Sequence, residues 1–195
     1  GHSETVVAAS GIDFTAAGVE VIGQGVGAAK PTITMGTATT ASVDFSAANC
    51  RLSGIKFVCD IDSLAAFIIG GAGGAIIENC DFYNGTSKEY LTAITIPTTY
   101  DDWKIRRCRF IQPTDPAGTN AGAGTGAISI IDSENVEISN CEFRGNFETA
   151  FVHNRTTAAV NLWITDCFGI CSLADAVPFV FVTGATGGVV RCTMI

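Results

Sequence analysis

Paired acidic residues are the parts of this sequence whose type and spacing suit catalysis. Hydrolysis of a glycosidic bond uses two carboxyl groups that flank a groove, about 5 to 9 Å apart. Close pairs occur at three places: Asp60 with Asp62, Asp101 with Asp102, and Asp132 with Glu134. Asp is also common in ordinary turns, where its side chain hydrogen-bonds the local backbone, so each pair has a structural explanation too. We take the first two pairs as the catalytic candidates.

Residues that could contact a ligand lie near these acids. Tyr83, Lys88 and Tyr90 fall in a segment that we expect to be a loop, and they are the candidate binding residues. We predict no metal site, because the chain has no C-x-x-C pair and Cys167 and Cys171 straddle the end of a strand. The glycine-rich segments lack the spacing of a nucleotide-binding loop, so we predict no cofactor.

The composition narrows the class of protein. Of 195 residues, 47% are hydrophobic and 15% are charged, which predicts a single folded domain over 1–195 rather than a disordered chain. The formal net charge of −8 argues against a nucleic acid as the partner. Gly, Asp or Asn interrupts the longest apolar stretches every few residues, so we expect no membrane-spanning helix.

One short phrase recurs along the chain and defines a repeat. It reads A-I-I-E-N-C-D-F at 75–82, W-K-I-R-R-C-R-F at 103–110 and V-E-I-S-N-C-E-F at 136–143. All copies align on one column, with members 25 to 33 residues apart: Ile55, Cys80, Cys108, Cys141, Cys167 and Cys192. We number the positions of each copy from this column, which is position 0. Self-similarity at this period indicates a solenoid.

The pattern within each copy predicts the kind of solenoid. Positions −5 and −3 are mostly apolar, as are 0 and +2, so the period-2 alternation of a strand changes phase between the two segments. Two short strands that meet at a corner explain this change, and four of the six residues at position −1 are Gly, Asn or Asp, which tolerate a left-handed backbone. A third apolar segment precedes each pair. We therefore predict an all-β fold, a right-handed parallel β-helix of about six to seven rungs, where a rung is one turn of the solenoid with three short strands.

The V-x-I-x-N-C-x-F phrase, with its asparagine corner and stacked apolar columns, resembles the right-handed parallel β-helix of the pectate-lyase-like superfamily over 19–194. The opening G-H-S-E-T-V-V-A-A-S, with G-V-E-V-I-G-Q-G and K-P-T-I-T-M, is similar to β-helix proteins encoded among bacteriophage structural genes. Residues 1–3 are equally compatible with a remnant of tag removal. The resemblance implies a virion protein made in the host cytoplasm, and commonly a parallel trimer. The alternative location is secreted or at the cell surface.

A basic cluster lies close to Asp101 and Asp102 and comprises Lys104, Arg106, Arg107 and Arg109. It resembles the catalytic site of lyases of this fold, in which an arginine beside acidic calcium ligands removes a proton from the sugar. The repeat also gives these basic residues a structural role. Position +1 holds Lys56, Asp81, Arg109 and Glu142 in successive copies, so opposite charges are neighbours in a parallel stack. Such pairs stabilise a sheet by a few tenths of a kcal/mol to about 1 kcal/mol each and fix its register. The cysteines at position 0 face inward in the same scheme, and we expect buried free thiols rather than disulfides.

The third segments are apolar at nearly every position, unlike half-exposed strands. Examples are A-F-I-I at 66–69, A-I-S-I-I at 127–131 and F-V-F-V at 179–182. An outer face of this kind needs a cover, because soluble monomers rarely expose a large contiguous apolar patch. We predict a homotrimer that packs through residues near Phe67, Ile94, Ile130 and Phe181. The alternative cover is a long inserted loop over 112–126.

These observations favour one function and leave another open. We expect a bacteriophage structural or adhesive protein, a tail, fibre or surface component, with a polysaccharide as its candidate ligand. The alternative is a polysaccharide lyase or glycoside hydrolase of tail-spike type, with carboxylates from the loops at 60–64 and 83–90. The sequence begins with a partial rung and ends on a strand, and we expect it to be a fragment of a longer chain.

Overall fold

A computed structural model describes residues 1–85, 88–112, 126–145, 147–154, 157–171 and 177–195. Over these ranges the chain forms short β-strands and one 3₁₀ helix, Gly27–Ala29. The strands stack into three parallel sheets, and the predicted parallel β-solenoid is confirmed. Most of the predicted inserted loop, 113–125, lies outside the described residues.

Each rung contributes one strand to each sheet. Sheet A, within the described ranges, contains β1 (Ser3–Val6), β4 (Thr32–Met35), β7 (Lys56–Cys59), β10 (Asp81–Asn84), β13 (Arg109–Gln112), β16 (Glu142–Gly145), β19 (Phe168–Cys171) and β22 (Thr193–Met194). Sheet B contains β2 (Ile12–Asp13), β5 (Val43–Phe45), β8 (Leu64–Gly70), β11 (Tyr90–Ile96), β14 (Gly126–Ile130), β17 (Ala150–Asn154) and β20 (Phe179–Phe181). Sheet C contains β3 (Glu20–Ile22), β6 (Arg51–Ser53), β9 (Ile76–Glu78), β12 (Lys104–Arg106), β15 (Glu137–Ser139), β18 (Leu162–Thr165) and β21 (Gly187–Val190).

Left-handed residues form the corner between sheet C and sheet A. The residues at position −1 all have φ between 52° and 72°: Gly54, Asn79, Arg107, Asn140, Asp166 and Arg191. The predicted left-handed corner is therefore confirmed. It includes the two arginines, whose residue type does not favour this conformation.

A second left-handed corner lies at position −6, where the chain enters sheet C. Its members have φ between 56° and 75°: Asn49, Gly74, Asp102, Asn135 and Asn161. The sequence pattern did not predict this corner. Because the strands of sheet C are bounded by a corner at each end, their outward side chains are held at fixed positions.

Stacked columns of similar side chains form the core. The rings of Phe57, Phe82, Phe110 and Phe143 at position +2 stack face to face, with centroids 5.0 to 5.1 Å apart. This distance is close to the spacing of neighbouring strands, about 4.8 Å, so each ring packs on the ring of the next rung. The column therefore fills the interior of the solenoid next to sheet A.

The cysteine column is also inside. All eight cysteines are free, and Cys80, Cys108, Cys141 and Cys167 are buried, whereas Cys192 in the last rung is half-buried. Burial raises the pKa of the Cys80 and Cys108 thiols well above its usual range. The prediction of buried free thiols is confirmed.

The residues predicted to form a trimer interface mostly lie inside the solenoid. Phe67, Ile94 and Ile130 are at most 1% exposed and belong to the core of a single chain, whereas Phe181 is 38% exposed. The consecutive residues Phe67 and Ile68 are both fully buried, so the alternation breaks within β8. The prediction of an exposed apolar face at Phe67, Ile94 and Ile130 is wrong, because their burial in the chain's own core explains the apolar sequence.

A charge ladder crosses the outer face of sheet A in the predicted register. Asp81 pairs in register with Lys56 on one side and with Arg109 on the other, and Arg109 is followed by Glu142. The Arg109 Nε lies 3.1 Å from a Glu142 carboxylate oxygen. Neighbouring opposite charges disfavour a shift of one strand against the next.

The charges on sheet C follow the predicted register but form different pairs. Glu78 lies beside Arg106, as expected. Its carboxylate instead forms ion pairs with Arg51 and with Arg107, the latter at 2.7 Å, while Arg106 pairs with Glu137 at 2.9 Å. Long arginine side chains thus connect rungs along this face. Among the residues described, no helix has the length and apolar character needed to cross a membrane.

Candidate functional site

Asp101 and Asp102 hold the turn between sheets B and C. A carboxylate oxygen of Asp101 accepts a 2.7 Å hydrogen bond from the backbone N–H of Glu134 in the next rung. Asp102 adopts the left-handed conformation of the position −6 corner, and its N–H donates to the Glu134 carbonyl at 3.0 Å. These contacts connect consecutive rungs, which gives the pair a structural role.

Asp60 and Asp62 lie in an exposed turn between β7 and β8. Asp62 Oδ2 is 3.4 Å from Lys88 Nζ, and the Asp62 side chain is 72% exposed. This turn precedes sheet B, whereas Asp101 and Asp102 follow it, and a seven-residue strand of that sheet spans roughly 20 Å. The structure therefore does not bring the two predicted catalytic pairs into one site.

Two of the predicted binding residues have opposite environments. Tyr90 is the first residue of β11 and is fully buried, and its ring packs edge-on against Phe67 with centroids 5.1 Å apart. The expectation that Tyr90 lies in a loop is wrong, because it begins a strand and its ring belongs to the core. Lys88 lies at the surface and pairs with Asp62.

Tyr83 is part of a strand rather than a loop. It lies in β10, where the Lys56 ammonium is 5.1 Å and the Arg109 guanidinium 6.0 Å from the centroid of its ring. Both cations belong to strands that flank β10. The half-buried Tyr83 ring therefore contributes to the charge ladder of sheet A through cation–π contacts.

An open groove of about 360 Å³ lies on the outer face of sheet C, and we call it the sheet C groove. Two rows of side chains from three consecutive rungs line it. The first row comes from the position −6 corner: Asp102, Asn135 and Asn161. The second row comes from position −4, whose members are neighbours in register: Lys104, Glu137 and Trp163.

Trp163 supplies an exposed aromatic surface at one end of the groove. Its side chain is 43% exposed, although its indole N–H donates to Asn161 Oδ1 at 2.6 Å. Asn161 in turn donates to Asn135 Oδ1 at 2.8 Å. The ring lies over Gly188 of the next rung, where a Cβ atom would be only 2.9 Å from the indole Cζ3. A hydrogen bond and a glycine therefore fix the indole in its orientation.

Charged side chains also line the groove. Glu137 accepts hydrogen bonds from Arg106 at 2.9 Å and from Ser139 at 3.1 Å, and its side chain is 38% exposed. Lys104, the neighbour of Glu137 in register, forms no ion pair with any part of the chain that is described. The groove thus combines hydrogen-bond donors, acceptors and an aromatic face. The described residues contain no group of three His, Cys, Asp or Glu side chains that could hold a metal ion.

One residue of the groove could have been recognised from the sequence, because it is aromatic at an outward position of the repeat. Position −4 lies between the inward-facing positions −5 and −3, so its side chains point outward. In successive copies this position holds Arg51, Ile76, Lys104, Glu137, Trp163 and Gly188, and Trp163 is the aromatic member of the series. A large aromatic residue at an outward position is the feature that could have identified the site.

Comparisons with protein-family models, with curated proteins and with solved structures found no match to this chain. The class defined by the fold is an all-β parallel β-solenoid. The resemblance to the pectate-lyase-like superfamily and to bacteriophage proteins remains a prediction from the sequence motifs.

Proposed function

We propose that this chain is a structural and adhesive β-solenoid, a tail, fibre or surface component of a bacteriophage particle, which attaches to a polysaccharide without cleaving it. The virion assignment rests on the sequence resemblance of its first 35 residues. The observation that carries the adhesive function is the sheet C groove, which presents aromatic and hydrogen-bonding groups on a rigid surface. By contrast, the predicted catalytic carboxylates lie in separate turns.

The scaffold suits a structural role. Stacked phenylalanines fill the interior, and ion pairs on the outer faces of sheets A and C connect successive rungs. A fold made of similar repeats is prone to slip between registers, and alternating charges oppose such slips. The solenoid therefore keeps its surface groups at fixed spacing.

Assembly as a homotrimer is a further part of the proposal. Of the four residues predicted near the interface, Phe181 is the one at the surface of the single chain. Sedimentation equilibrium tests the assembly, because one chain has a mass of 20.2 kDa. A mass three times that value supports a trimer, and a monomer at micromolar concentration contradicts it.

A combined binding and cleavage assay tests the function. The protein is incubated with a panel of bacterial capsular and O-antigen polysaccharides, binding is measured by biolayer interferometry, and products are measured as reducing ends and as unsaturated sugars. We expect binding without new products. Cleavage would support the enzymatic alternative, and Asn substitutions at Asp60, Asp62, Asp101 and Asp102 would then test the predicted carboxylates. No binding to any member of the panel would contradict the adhesive proposal.

A further inference from the structure

We infer that the sheet C groove binds a pyranose ring on the indole of Trp163, with the glycan chain running along the solenoid axis toward Lys104. This inference rests on the proposed adhesive function and assigns that function a site and a binding mode. It also separates the site from the turn carboxylates that the sequence pattern singled out.

The exposed indole of Trp163 offers a surface on which a sugar ring can pack. Sugar rings have an apolar face of C–H groups that packs on an aromatic ring, and indole offers the largest such surface among the side chains. Trp163 keeps 43% of its surface exposed while Asn161 and Gly188 restrain its ring. Because the ring is already ordered, binding pays little additional conformational entropy.

The register gives the direction of the ligand. Lys104, Glu137 and Trp163 occupy the same position in three successive strands, so Lys104 and Trp163 are two strand spacings, about 10 Å, apart. This length matches about two linked sugars. A chain lying along the axis places one ring on Trp163 and the next unit beside Glu137.

The polar groups favour a ligand rich in hydroxyl groups. The Lys104 ammonium is a hydrogen-bond donor group, the carboxylates of Glu137 and Asp102 are acceptor groups, and the Asn135 amide is both. A sugar hydroxyl is also both donor and acceptor, so it can pair with each of these groups. An apolar protein surface would remove these groups from water without offering them new hydrogen bonds, which is costly. The groove therefore fits a glycan better than an apolar protein partner.

Substitutions in the groove test this assignment on the panel of capsular and O-antigen polysaccharides. Trp163→Ala is expected to weaken binding of the glycans that the unmodified protein binds by at least tenfold. Gly188→Ala keeps the indole but forces it to move, and we expect a smaller loss. The matched control is Phe168→Ala, which removes an aromatic ring from the outer face of sheet A and should leave binding unchanged.

A fluorescence measurement gives a second readout. The chain has two tryptophans, and Trp103 is fully buried, so quenching by acrylamide reports mainly on Trp163. A bound oligosaccharide is expected to protect the fluorescence from quenching. Two results together would refute the site while leaving the adhesive function intact. The glycan would bind Trp163→Ala as tightly as it binds the unmodified protein, and it would not protect the fluorescence of the unmodified protein from quenching. A panel without any bound glycan would overturn both.

Discussion

The buried ion pair of Lys30 and Asp81 allows a sharp test of how the rungs are held together. The Lys30 Nζ lies 3.0 Å from Asp81 Oδ2 and 2.7 Å from the Asn79 carbonyl oxygen, and both charged side chains are 7% exposed. Lys30 precedes β4 and Asp81 begins β10, while β7 lies between these strands in sheet A. The pair therefore joins two rungs that are not neighbours.

The change Lys30→Met leaves the Asp81 carboxylate buried without its partner. Breaking a buried pair in this way costs about 3 to 5 kcal/mol of unfolding free energy. Lys56 and Arg109 flank Asp81 in register, so we expect a loss near the lower limit, about 3 kcal/mol. In a chain of this length, about 2 to 4 °C is lost per kcal/mol, which corresponds to a decrease in Tm of roughly 6 to 12 °C.

Urea unfolding and thermal melts followed by circular dichroism measure this loss. The double variant Lys30→Met with Asp81→Leu removes both charges and should recover most of the stability, because no unpaired charge stays buried. As a control, Lys88→Met removes the exposed pair with Asp62 and should cost less than about 1 kcal/mol. A cost of Lys30→Met no greater than that of this control would contradict a stabilising role of the buried pair, as would a double variant no more stable than Lys30→Met.

Three further predictions concern the corners and the thiols. Asn140 has a φ of 54°, so Asn140→Ala should lower the free energy of unfolding by about 1 kcal/mol, whereas Asn140→Gly should not. Equal urea midpoints for the two variants would contradict backbone strain as the cause. Arg191 lowers the pKa of Asp166 from 3.8, so their pairing stabilises the fold above this pH, and the contribution is lost as the pH falls through the lowered pKa. The stability difference between the unmodified protein and Asp166→Asn should therefore vanish in acid, and a difference that persists there would oppose the assignment. Iodoacetamide at pH 8 should modify half-buried Cys192 long before Cys141, whose pKa is raised by burial, and peptide mass spectrometry would show the reverse order if the column were open.

The repeating features were predictable because they depend on local rules. Side chains alternate with period 2 along a strand, so the inward Phe and Cys columns follow from one phrase. The same alignment places Asp81 between Lys56 and Arg109, and the structure has this register. The corner at position −1 followed from residues such as Asn140 that tolerate a left-handed backbone.

Features that depend on where a strand bends were harder to predict. Strict alternation places either Phe67 or Ile68 outside, but both are buried because the alternation breaks in β8. Tyr90 lies in a segment that the sequence predicts to be a loop, although its ring belongs to the core. Asp102 looks like an ordinary turn residue in the sequence, and its left-handed φ becomes evident only in the structure.

The sheet C groove depends on contacts between rungs. Its rows combine residues about 25 to 35 positions apart, such as Lys104, Glu137 and Trp163. The orientation of the indole requires both the Asn161 amide and the space above Gly188. No single copy of the repeat contains this information.

A crystal structure with an oligosaccharide selected from the binding panel tests the central claim most directly. We expect a pyranose ring parallel to the Trp163 indole, with the next sugar beside Glu137 and the chain directed along the solenoid axis. A sugar bound instead at the Asp60 to Asp62 turn or on sheet B, with Trp163 uncovered, would contradict it.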